Sequence, residues 1–139
     1  FRQEGEIRLS DIAIRSDGRP TIATGGPLEI EFTLDVPESR RCIAYLGLGE
    51  GAGPPIFVLR RDLPLAAGRN RVRCTVANLP LAGGRYSLWG TIRDARGEEL
   101  APWQALGHLQ VVGPNPPPLP RGLLRTSPIL VVADWSVSP

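Results

Sequence analysis

A chain of 139 residues with 42% hydrophobic content can bury a core without metal or disulfide staples. Its 16 Gly and 15 Pro make up more than a fifth of the residues, which disfavours long helices and favours short strands joined by turns. Every one of the 16 basic residues is Arg, and against 14 acidic residues the net charge is only +2, with the signs interspersed, so the clustered basic stripe of a nucleic-acid surface is missing.

In chain order, Ile7 and Leu9 are followed by Ile12 and Ile14. The phase slip at Ser10–Asp11 predicts a first strand with a β-bulge, and "SDGRP" reads as a turn. "PLEIEFTLDV" alternates cleanly, with Leu28, Ile30, Phe32, Leu34 and Val36 inward and Glu29, Glu31, Thr33 and Asp35 outward. "RCIAYLGL" alternates less, as expected of a strand covered on both faces. A loop, "GEGAGPP", leads to the short strand "PIFVLRR". "NRVRCTVANL" then turns Val72, Cys74 and Val76 inward. "GRYSLWGTIRD" has Tyr86, Leu88, Gly90 and Ile92 on a core face, and "DARGEE" closes a hairpin into a strand over 103–112. On that last strand Ala105, Gly107, Leu109 and Val111 are expected inward, and Leu106, His108 and Gln110 outward.

Seven strands without a helical period predict an all-β fold, an immunoglobulin-like or jelly-roll antiparallel β-sandwich. It is expected over 1–112, followed by a Pro-rich linker over 113–127 and a C-terminal strand over 128–139. The stretch "GPNPPPLPRG" can reach on the order of 30 Å in polyproline geometry. The apolar run Ile129–Ala133 beyond it therefore returns to a distant edge of its own sandwich or exchanges into a second copy. The chain has no Met, even at position 1, and so reads as a segment of a longer protein. No apolar run approaches the ~18 residues of a membrane span.

The residues argue against catalysis. His108 is the one histidine, no G-x-S-x-G elbow occurs, and without lysine a Walker A loop is impossible. One His and two Cys make no zinc site, and no cofactor or metal is expected. Cys42 and Cys74 lie in apolar runs, either as buried thiols or, in an exported domain, as a disulfide pair.

"NLPLAGGRYSLWGTIRDARGEEL" resembles a segment of the carbohydrate-binding C-terminal domain of polysaccharide ABC exporters, which is fused to the nucleotide-binding subunit (Wzt-type). "GEIRLSDIAIRSDGRPTIATGGPLEIEFTL" is similar to the family's opening, and "GHLQVVG" with "VVADW" to its close, so the resemblance spans essentially the whole chain. It implies a domain that binds the exported, O-antigen-like glycan and dimerises by exchanging its last strand. It also implies a cytoplasmic position at the inner face of the plasma membrane, which favours free thiols. A nucleotide-binding domain and a membrane subunit would be its partners, and ATP hydrolysis would lie outside this segment.

The resemblance assigns no sugar contacts, so these come from the residues. Aromatic rings cover the C–H faces of sugars, and Arg, amide and imidazole groups suit the hydroxyls. Trp89 on the non-core face of its strand, with Arg93, Tyr45, His108 and Gln110, forms the candidate platform. Trp103 is expected to be structural, Trp135 an anchor in a neighbour's core, and Tyr86 a tyrosine corner. The alternative function is a dimerisation or docking sandwich with Trp89 in the interface.

Overall fold

Strict alternation of apolar and polar residues can bury only one face of a strand, so such strands must pack in pairs of sheets. The computed structural model describes residues 7–51, 53–113 and 129. Among them are eight strands: β1 (Arg8–Arg15), β2 (Ile22–Ala23), β3 (Leu28–Val36), β4 (Arg40–Gly49), β5 (Phe57–Leu65), β6 (Gly68–Val76), β7 (Gly84–Arg93) and β8 (Glu99–Val112). One sheet has the order β1-β3-β6 and the other β2-β8-β7-β4-β5. All pairings are antiparallel except the two-residue β2, which lies parallel to β8 and carries no alternation by which the sequence could announce it.

The inward residues of both sheets form one core. Ile30, Phe32 and Leu34 of β3 meet Leu46 and Leu48 of β4, Leu88 and Ile92 of β7, and Leu109 and Val111 of β8. Each such side chain contributes about 1.5–3 kcal/mol by leaving water. The bulge in β1 is present: the register shifts between Ser10 and Ala13, and Asp11 takes φ 52°. Residues 16–19 form the expected turn, with Ser16 and Arg19 exchanging backbone hydrogen bonds of 2.7 and 2.8 Å. Tyr86 is buried, and its hydroxyl donates to the Ala82 carbonyl at 2.7 Å, the tyrosine corner expected from its place after a turn.

β8 departs from the expectation in two ways. It begins at Glu99 rather than Trp103, because the hairpin closes tightly: Asp94 N–H donates to the Glu98 carbonyl, and Arg93 pairs with Glu99. Its register against β7 also slips between Leu88 and Trp89, so Leu88 faces Gly107 while Trp89 faces Ala105. The slip exchanges the faces expected for Ala105 and Leu106. Leu106 packs against the core, in space left by Gly90, where an added Cβ would stand 2.7 Å from the Leu106 Cδ1. Leu109 and Val111 remain inward as expected.

No disulfide joins Cys42, which is buried, to Cys74, which is half-buried. Of the expected terminal strand only Ile129 is described; it forms an antiparallel bridge with Leu81 of its own chain. The Pro-rich linker, Trp135 and the question of strand exchange lie outside the described residues.

Candidate functional site

Cross-strand pairs in an antiparallel sheet point to the same face, so the register of the five-stranded sheet defines its outer surface. One row runs Val58, Gly47, Trp89, Ala105; the next Arg60, Tyr45, Thr91; a third Asp62, Ile43, Arg93, Glu99. On the other side of the first row come Ser87 with His108, then Arg85 with Gln110. All five residues of the expected platform therefore share one face. They do not converge on one point: Arg93 and Arg85, the β7 partner of Gln110, are separated along β7 by about 27 Å at 3.4 Å per residue. One sugar ring cannot touch both Arg93 and Gln110, whereas several consecutive rings can.

The centre of this face holds a residue the sequence reading assigned to structure. Trp103 is 39% exposed and lies parallel to Trp89, with ring centroids 6.2 Å apart and 6° between the planes. Gly47 makes this possible, since a Cβ there would come within 2.8 Å of the Trp103 Cη2 and 3.1 Å of the Pro55 Cβ. The signal for Trp103 was available in the hairpin. A hairpin set by Arg93 opposite Glu99 would, without register shifts, bring Trp103 opposite Trp89; the observed shifts move Ala105 there and leave Trp103 two residues earlier on the same face.

Polar groups ring the two indoles. A hydrogen bond with Tyr45 holds the Arg60 guanidinium still more firmly protonated, with Asp62 adding to the effect at 3.5 Å. Arg93 donates to the Gly97 carbonyl at 3.0 Å and approaches Glu99 at 3.4 Å. Ser87 Oγ and His108 Nδ1 lie 3.2 Å apart. Thr91 is tied down, its hydroxyl donating to the Ala101 carbonyl at 2.7 Å. Trp89 Nε1, in contrast, is sealed from solvent and has no hydrogen-bond partner among the described residues. Such a face can stack the apolar side of a ligand and offer donors around it. No group of His, Cys, Asp and Glu among the described residues could hold a metal ion.

The outer face of the three-stranded sheet has a different character. Glu31 is buried to 8% exposure, and Arg15, Arg71 and Arg73 approach its carboxylate at 2.9, 3.7 and 3.6 Å. Between the edge strands β5 and β6 the sandwich is open, with a groove of about 740 Å³ floored by Phe32, Leu46, Leu63 and Val72. Arg61, opposite Ala44 on the core side of β5, places a charge in this groove and guards a free edge against indiscriminate pairing.

No family model matches the chain, and no curated protein matches it. A solved structure of the C-terminal domain of Wzt superposes with a TM-score of 0.69, covering 96% of this chain and 85% of that one at 11% identity. The chain shares its fold with the Wzt domain. An alkylpurine DNA glycosylase from Pseudomonas fluorescens, bound to DNA containing an abasic-site analogue, gives 0.55 at 15% identity over 77% of this chain and 30% of its own. The β-D-mannosidase of Dictyoglomus thermophilum gives 0.54 at 20% identity over 73% of this chain and 13% of its own. The Wzt likeness extends over nearly the whole chain, and the two others over part of it. At these identities all three likenesses are of fold, and fold alone does not fix a ligand.

Proposed function

We propose that this chain is a non-catalytic glycan-recognition domain, serving an ABC exporter of polysaccharide from the cytoplasmic face of the membrane. The observation that carries the reading is the parallel Trp89–Trp103 pair on an outer sheet face, ringed by Tyr45, Arg60 and Arg93. Stacked indoles suit the C–H faces of pyranose rings, and the surrounding groups suit hydroxyls. The fold of the Wzt domain supports the exporter setting. His108 and Gln110, farther along the strands, would meet neighbouring sugars of the same polymer.

A homodimer made by exchange of the expected C-terminal strand over 128–139 belongs to the same reading. The groove between β5 and β6 offers the apolar floor such a strand requires, and two sites on a repeating polymer gain by effective concentration. In the competing reading, the indole pair is itself the dimer surface.

The test is a titration of the chain with delipidated polysaccharide from its source organism, followed by tryptophan fluorescence, with an unrelated glycan as control. A saturable, cognate-specific change that disappears in Trp89→Ala while the sedimentation coefficient stays the same supports glycan recognition. Dissociation of a dimer by Trp89→Ala, with no response to either glycan in wild type, would transfer the pair to an interface.

A further inference from the structure

The sealed, partnerless N–H of Trp89 is the feature of this face that stacking does not explain. A buried donor without an acceptor costs about 1–3 kcal/mol, and native proteins retain such groups where a ligand or an ordered water completes them. Other polar groups near it are engaged: Thr91 with Ala101, Arg93 with Gly97, Ser87 with His108. The cross-strand neighbours of Trp89 are Gly47 and Ala105, neither long enough to cover an indole. The exposed side chain stacked parallel to it is Trp103, whose tip rests with Pro55 where Gly47 lacks a Cβ. Exposed rings change rotamer readily, whereas the backbone of a central strand does not.

We infer that the ligand displaces the Trp103 ring and supplies the acceptor that Trp89 Nε1 lacks. This rests on the glycan reading and sharpens it. The ligand is a glycan in which one pyranose stacks its C–H face on the indole while a hydroxyl reaching past the ring edge, from that sugar or the next, accepts the in-plane N–H. A donor already sealed from water gives up no hydration on pairing, so the bond it forms with the ligand is not offset by desolvation of the protein group.

The experiment compares wild type with Trp89→Phe, which keeps an aromatic ring and removes the N–H. The 3 tryptophans give three indole N–H signals in a ¹H–¹⁵N spectrum, and the signal missing in the variant identifies Trp89. On saturation with the delipidated source polysaccharide, that signal should move downfield. Trp89→Phe should bind about tenfold more weakly, the factor equivalent to 1.4 kcal/mol, while melting no lower than wild type. If wild type saturates but the signal stays in place, or the variant binds as tightly, a trapped water or nothing completes the N–H and the inference falls alone. If wild type binds no polysaccharide, the glycan reading falls with it.

Discussion

The two outer faces of this sandwich are built from similar alphabets and reach opposite states. On the three-stranded sheet, Arg15, Arg71 and Arg73 close over Glu31, Arg73 also approaches Glu29 at 3.9 Å, and Arg69 meets Asp11 at 3.0 Å. Charge there is spent on neighbours across the strands, and little is left to offer a ligand. The five-stranded sheet presents two indoles and a glycine recess, and holds beneath them an indole N–H that has no partner among the described residues. The contrast teaches that two faces with similar polar residues can differ in the bonding capacity those residues leave unfilled, which is what the proposed glycan face would use.

This division can be broken by substitution. Glu31→Ala should have the largest effect, about 2 kcal/mol in urea denaturation. A fully buried pair would lose roughly 3–5 kcal/mol, but Arg15, Arg71 and Arg73 retain 40–61% exposure and are screened by solvent. Polysaccharide affinity should be unchanged, and a loss of binding would mean that the faces are not independent. Next come two tyrosines on opposite sides of one sheet. Tyr86→Phe leaves the buried Ala82 carbonyl without its donor and should lose about 1–2 kcal/mol. Tyr45→Phe, on the outer side, should shift stability by less than about 0.5 kcal/mol yet weaken glycan binding. Reversal of that pattern would remove Tyr45 from the site.

Smaller effects sharpen the comparison within the aromatic face. Gly47→Ala should lift the Trp103 tip, an exposed side-chain end that can yield, and leave the fold intact. Hydrogen exchange of the Trp89 indole N–H should then accelerate about tenfold, the change expected when a cover loosens by 1.4 kcal/mol. Unchanged exchange would mean that Trp103 is not the cover. The smallest effect concerns the β7–β8 hairpin. Hydrogen bonds from the Glu98 and Arg96 backbone, the Glu98 one foremost, lower the pKa of Asp94 from its ordinary 3.8. A lowered carboxylate pKa stabilises above the unfolded value and is lost as pH falls through the folded one. The melting-temperature advantage of wild type over Asp94→Ala should therefore be full above pH 4 and shrink below it. An advantage independent of pH would exclude the ionised carboxylate as its source.

Much of the fold is legible because period-two patterns survive translation into structure. Leu28, Ile30, Phe32, Leu34 and Val36 are buried as written, although Glu31 and Thr33 on the opposite face are buried too, and the slip at Ser10–Asp11 appears as a bulge. Tyr86 was readable as a corner because its partner lies four residues away. The site was legible only in outline. Tyr45, Trp89, Arg93, His108 and Gln110 do share a face, but alternation along β8 misassigned Ala105 and Leu106, since the register shift there is flanked by the small residues Ala105 and Gly107, which mark no break in the period.

By itself, then, the sequence determined which residues alternate, where the turns lie and that an indole would stand outside the core. These follow from hydrophobicity and backbone preference, which act over a few neighbours. Tertiary structure alone decided that Trp103 lies on Trp89, that Gly47 leaves room for it and that one N–H remains unpaired. Those facts depend on the register between strands distant in sequence, which the packing of the whole core selects.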